Sequence, residues 1–275
     1  MSRAVIAALL FAVSGAAAAG PPTVDHACAE LASRIRGLPL DLCRQAGLRL
    51  APASTNQGRR LLIRDLPPAV PPDDAPRRVL VLGGIHGDEF SAVVVAFQWI
   101  ERLRDDRFQH YQWRVLPSAN PDGAMARPAT RMNARGVDLN RNFPAPDWNS
   151  RAQSFWKTRT HSDPRRYPGP QAASEPETRW IIEQIKGFAP DAIVSIHAPL
   201  DVLDFDGPYV PPPKLGYLRL APLGTYPGSL GDYAGTYLKL PVLTLELPQA
   251  AQPPSADQSG RMLSDLITWL DQSLH

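Results

Sequence analysis

Apolar positions along the chain follow two periods. Short β-branched or leucine-rich runs, "RRLLIRDLP", "RRVLVLGG", "WRVLP", "DAIVSIH" and "PVLTLEL", have the length and composition of strands. Between them, apolar residues recur at helical spacing. From Glu89 to about Arg104 they fall at Val93, Val94, Phe97, Ile100 and Leu103. "SEPETRWIIEQIKGF" pairs Ser174 with Glu177 in capping-box spacing, which predicts a helix start. "DQSGRMLSDLITWLDQSL" predicts a closing helix, and "HACAELASRIRGLPLDLCRQAGL" predicts a helical hairpin broken at Gly-Leu-Pro. The stretch from Ala124 to Ala173 shows neither period and is expected to be irregular. Strands alternating with helices predict an α/β fold. The expected architecture is a single domain with a mixed, mostly parallel central sheet flanked by helices.

The N-terminus adds a compartment. Arg3, an apolar run from Ala4 to Val13 and small residues ending at Ala17-Ala18-Ala19 have the layout of a secretory signal peptide cleaved near Ala19. That run is far short of the roughly 20 residues a membrane span needs. The expectation is a periplasmic or secreted protein with no stable membrane anchor after cleavage. The chain then divides into a signal peptide (1–19), an N-terminal helical extension (20–56) and a main domain (57–275), which carries all the candidate chemistry below. The two cysteines, Cys28 and Cys43, lie 15 positions apart in that extension. In an oxidising compartment they are expected to form a disulfide.

Composition narrows the class further. With 275 residues, 44% hydrophobic, and a net charge of +2, the chain can bury a sizeable core and lacks the strong basicity of a nucleic-acid binder. Thirty prolines sit in loops such as "LPPAVPPDDAP" without a repeat.

Candidate chemistry lies at the ends of the apolar runs. His86 and Glu89 follow "VLVLGG", His197 closes "AIVSIH" 108 positions after Glu89, and Glu246 interrupts "LTLELP". Two histidines and a carboxylate supply three ligands for a catalytic zinc and leave a fourth position for water. Each residue also has an ordinary reading: a turn histidine, a carboxylate favoured by a helix N-terminus, a core histidine. Glu246 resists that treatment, because a carboxylate on an otherwise buried strand is costly unless paired or used.

The motifs "GGIHGDE", "ANPDG", "NARGVDLNRNFP", "SIHAP" and "LTLELP" occur in the order found in the zinc carboxypeptidases of the carboxypeptidase A type. From Gln57 to the C-terminus the chain resembles that family, and "SIHAPLDVLDFDGP" and "GSLGDYAGTYLKLPVLTLELP" resemble its short bacterial murein peptide amidases. The resemblance implies one zinc per chain on His86, Glu89 and His197, Glu246 as general base, and Asp138 as the acid that orients the first histidine. It implies Arg131 as the arginine that polarises the scissile carbonyl, with Arg127 and Arg135 as neighbours in the same loop. Asn140 and Arg141 match the pair that grips a terminal carboxylate. Tyr233 is the nearest candidate for a substrate-covering tyrosine, although its spacer to Glu246 is shorter than in larger relatives. The implied substrate is a murein tri- or tetrapeptide, cut between γ-D-glutamate and meso-diaminopimelate. The ammonium on that residue calls for an acidic pocket; Asp204 and Asp206, with Asp201 nearby, are candidates, with turn or capping as their alternative role. Rival readings are a general exported metallocarboxypeptidase and a non-catalytic wall-binding module.

Overall fold

The computed structural model describes residues 22–68, 76–105 and 110–274. The signal-peptide reading of residues 1–19 lies outside the described residues.

Among the described residues nine strands form: β1 (Arg49–Ser54), β2 (Arg60–Leu66), β3 (Arg78–Gly83), β4 (Gln112–Leu116), β5 (Ala192–His197), β6 (Val202–Asp206), β7 (Lys214–Leu215), β8 (Leu218–Arg219) and β9 (Val242–Glu246). Seven make the central sheet, in the order β1-β2-β4-β3-β5-β9-β6. The middle strands β4, β3, β5 and β9 run parallel, whereas β1, β2 and β6 join antiparallel at the two edges. The mostly parallel mixed sheet expected from the alternation is therefore present.

The parallel strands are mostly apolar because both of their faces are covered. Val79, Val81, Val194, Ile196, Leu243 and Leu245 face one apolar layer, shared with helices α1 (Val24–Arg34), α3 (Phe90–Arg102) and α7 (Ala256–Ser273). Leu80, Leu82, Ile193 and Val242 face the other, shared with helix α6 (Pro176–Phe188). Each such side chain taken from water contributes about 1.5–3 kcal/mol. The remaining helices are α2 (Leu40–Gln45), α4 (Pro121–Met125) and α5 (Trp148–Arg159). Among the described residues no helix is long and apolar enough to cross a membrane.

Three local expectations change. The irregular stretch 124–173 contains α5, a 12-residue helix that buries only Trp148 and Ala152; with so narrow an apolar face, its sequence lacks a helical period. The capping box at Ser174 is absent: Pro176 begins α6, and Ser174 instead donates to the Glu175 carboxylate at 2.7 Å. Glu177, fully buried, accepts from Asn56 and Asn133. Pro at the first helical position is already suited to starting the helix without that cap. Residues 49–54, read as part of a helical extension, form β1 and extend the sheet.

The predicted hairpin forms from α1 and α2 and is closed by the Cys28–Cys43 disulfide. Both cysteines are fully buried against the α3 layer. A cross-link spanning 15 residues contributes about 3 kcal/mol through the unfolded state. Replacing both cysteines by serine is expected to lower the unfolding free energy by about that amount, measured by urea denaturation without reductant. A loss below about 1 kcal/mol contradicts this role for the bridge.

Candidate active site

The site lies at the C-terminal ends of the parallel strands, where open α/β sheets place their ligands. After β3 the chain turns sharply. Gly84 adopts φ +62°, a conformation that glycine takes without strain, and a Cβ at Gly87 would collide with the Gly123–Ala124 backbone of α4. These two positions let His86 and Glu89 enter a tight turn directly ahead of α3. His197 ends β5 and sits opposite Glu246, the last residue of β9, in the sheet register.

His86, Glu89 and His197 are all buried, and one candidate ligand atom from each lies within 4.8 Å of the others. The Nδ1 atoms of the two histidines approach to 3.1 Å, and each lies 2.8–3.1 Å from a Glu89 oxygen. Their other ring nitrogens are engaged elsewhere: His86 Nε2 with Asp138 at 3.2 Å, and His197 Nε2 with Ser195 Oγ at 2.9 Å. Donation from both Nε2 atoms leaves both Nδ1 lone pairs facing Glu89, the donor set of a zinc site. Burial raises the Glu89 carboxyl, but the two histidines outweigh it and hold the group well below the usual carboxylate range. Glu246 supplies the other requirement. Its Oε2 is buried without a hydrogen-bond partner, and burial raises its pKa. A buried oxygen left unpaired costs about 1–3 kcal/mol, a cost understandable where it meets a substrate proton.

Asp138, 0% exposed, binds three groups at once: His86, the Arg131 Nε at 2.8 Å and the Asn140 backbone N–H at 3.0 Å. That last bond caps the 3₁₀ turn Leu139–Arg141. Arg131 lines the cleft, whereas Arg127 is exposed and Arg135, 53% exposed, approaches Glu175 at 3.9 Å. Asn140 accepts from the Leu230 N–H. Arg141 is buried, lies over the Tyr226 ring at 4.5 Å and donates to the Asn140 carbonyl. Burial brings its pKa down to about 10, which leaves it charged at neutral pH.

Of these groups, His86, Glu89, His197, Glu246, Arg131, Asn140 and Arg141 line one cleft of about 560 Å³, together with Asp204, Asp206 and Leu200. Asp204 is tied to the Leu223 N–H at 2.9 Å. Asp206 packs against Gly231 and Gly235, where any Cβ would collide with its side chain. Burial, reinforced by the carboxylates of Asp204 and Asp232, pushes Asp206 up to about 6. Asp201 is exposed with φ +58°, a turn residue apart from the cleft.

Tyr233 departs from its expected place. Its ring is 3% exposed and stacks on Phe143 at 5.9 Å, inside the core, so it does not line the cleft. It belongs to the helical turn Gly231–Tyr237, whose inward face carries it away from the opening. Several cleft residues escaped the sequence reading. Ser195 sits two positions before His197 on the same strand face, a spacing that could have revealed it. Tyr226 and the Asp88–Arg165 pair at 2.8 Å come from loops without a local signal.

Comparison with known proteins matches this geometry. A family model described as zinc carboxypeptidase matches residues 53–208, more than half of the chain. Murein peptide amidase A of Escherichia coli (strain K12) is 30% identical over 235 residues, covering 79% of this chain and 90% of that relative. The protein of the same name from Vibrio campbellii is 32% identical over 187 residues, covering 66% and 71%. The crystal structure of a murein-tripeptide amidase from Escherichia coli O157 superposes with a TM-score of 0.53 at 28% identity, covering 82% of this chain and 94% of that one. The metal-ligand triad, Asp138 and Arg141 all fall inside the matched residues, and with them in place this chain belongs to the zinc carboxypeptidase family, a family of zinc-dependent hydrolases.

Proposed function

We propose that the chain is an exported zinc metallopeptidase that hydrolyses the amide between γ-D-glutamate and meso-diaminopimelate in murein peptides. The observation that carries this reading is one cleft holding the metal-ligand triad, an unpartnered Glu246, a buried Arg141 and the acidic floor of Asp204 and Asp206. Similarity to the murein peptide amidases supports the substrate class. The Cys28–Cys43 disulfide supports an oxidising compartment, and the N-terminal pattern supports export to it.

His86, Glu89 and His197 would hold the metal. A zinc ion bound there supplies Lewis acidity, which makes a water acidic near neutral pH and polarises a carbonyl. Glu246 takes the proton from the attacking water as its oxygen forms a bond to the amide carbon. Arg131 donates to the oxygen that becomes negative, and one such donor is typically worth about 3 kcal/mol. As the C–N bond breaks, Glu246 passes its proton to the leaving amine. Arg141 and Asn140 hold the carboxylate of the departing residue; a planar guanidinium grips it with two parallel bonds. Asp206 receives the distal ammonium of diaminopimelate at the glycine-lined wall. This pairing needs the Asp206 anion, so selectivity for a side chain bearing that ammonium increases as pH rises through about 6.

His197→Ala should lose most of the one zinc bound per chain, whereas Glu246→Gln should keep zinc and fold but fall at least 10²-fold in kcat. Metal analysis and turnover check both, and a glutamine variant retaining more than about a tenth of the rate contradicts the general base. Substrate choice is tested with peptides carrying diaminopimelate, lysine or an uncharged alkyl residue after the scissile bond. The native peptide should be best, and the alkyl analogue should lose at least about tenfold in kcat/KM, about 1.4 kcal/mol. Asp206→Asn should narrow that gap. Equal rates on all three favour a general metallocarboxypeptidase.

A further inference from the structure

The disulfide-held hairpin reaches the end of α4 through Arg34. Arg34, the last residue of α1, donates from Nε to the Ala124 carbonyl at 3.1 Å and from Nη2 to the Ala126 carbonyl at 2.7 Å. These carbonyls lie at the C-terminal end of α4, where a helix leaves its last acceptors without internal partners. The same guanidinium lies 5.8 Å from the ring centroid of Phe90, the residue directly after Glu89.

α4 is the platform on which the arm carrying Arg131 folds back. The Thr130 N–H donates to the Gly123 carbonyl at 3.0 Å, and the Asn120 side chain donates to the Arg131 carbonyl at 3.1 Å. The Gly87 N–H reaches the same Arg131 carbonyl at 3.4 Å, joining the arm to the turn that carries His86. The first turn of α4 is fixed from the sheet side: the Asp122 carboxylate accepts from Thr55 at 2.9 Å, the Gln57 N–H at 2.9 Å and Arg59 at 2.8 Å. Arg34 holds the other end. With one end released, the platform could pivot about Asp122 and carry Arg131 with it.

We infer that Arg34 is a positioning residue for the hydrolysis, fixing α4 so that the Arg131 guanidinium meets the developing oxyanion. The inference rests on the role given above to Arg131. Two parallel donors spanning two carbonyls are the geometry of a guanidinium, which an ammonium lacks. A displacement of about 1 Å in a catalytic group can cost 10²-fold in rate, so a partial shift of the arm is enough to be measured.

The test is a double-mutant cycle on the zinc-loaded enzyme, using whichever of the three peptides above is cleaved fastest. Arg34→Ala is expected to lower kcat about tenfold with KM within about twofold and zinc content unchanged. In an Arg131→Ala background the same substitution should change kcat by less than about twofold, because its effect passes through Arg131. An equal factor in both backgrounds marks a general structural role and overturns the proposal, as does an unchanged kcat in Arg34→Ala. Arg131→Ala that leaves kcat intact instead overturns the role of Arg131 itself, and the proposal falls with it. Should Arg34→Ala fail to fold or to hold zinc, Arg34→Gln, which keeps one donor, replaces it in the same cycle with the same expected pattern.

Discussion

The Asp138 carboxylate is the constraint on which the site depends. A buried, ionised carboxylate costs several kcal/mol unless it is paired and hydrogen-bonded. Here it satisfies a metal-ligand histidine, an arginine and a backbone N–H together. Burial raises its pKa, but Arg131 and His86 pull it well below the usual carboxylate range, so the anion persists at neutral pH. The direction His86 faces, the place of Arg131 and the turn presenting Asn140 and Arg141 are thereby set by one group. Removing it would leave Arg131 without its closest acidic partner and free the His86 ring to rotate.

The sheet explains why such a network can be held rigidly. β3, β5 and β9 are hydrogen-bonded neighbours with apolar cover on both faces, so their C-terminal ends have little freedom. His197 and Glu246 are register partners across two of those strands, and His86 follows the third. In the antiparallel strand β6, Val202 pairs with Glu246, and Asp204 and Asp206 lie further down β9, opposite Thr244 and Val242, where they line the same cleft. The metal-competent residues at the ends of the central strands and the acidic pair on the edge strand thus line one cleft. The disulfide-held hairpin meets the C-terminal end of α4 through Arg34.

Legibility in the sequence followed the strength of local constraints. Strands β2 to β5 and β9 were readable because continuous apolar runs are hard to place anywhere but a covered sheet. His86, Glu89, His197 and Glu246 were readable because polar groups at the ends of such runs need a reason. Helix α5 was not, since it buries only Trp148 and Ala152, too few apolar positions to show a period. Tyr233 was misplaced because a linear spacer cannot tell which face of a π-helical turn looks inward. The expected cap at Ser174 failed because Pro176 already starts the helix. Arg34 is 90 positions from Ala124, and no pattern along the chain could join them. The acidic pair was found only as a composition after His197; strand β6 and the two glycines behind Asp206 give it a definite wall.

The central claim is hydrolysis of the γ-D-glutamyl–diaminopimelate amide by this cleft. The most direct measurement is mass analysis of the products after the zinc-loaded protein is incubated with murein tripeptide, L-alanyl-γ-D-glutamyl-meso-diaminopimelate. The account predicts two products, the L-alanyl-D-glutamate dipeptide and free diaminopimelate, with none when Glu246→Gln is used. An intact tripeptide, alongside trimming of ordinary C-terminal residues from unrelated peptides by the same preparation, would contradict it.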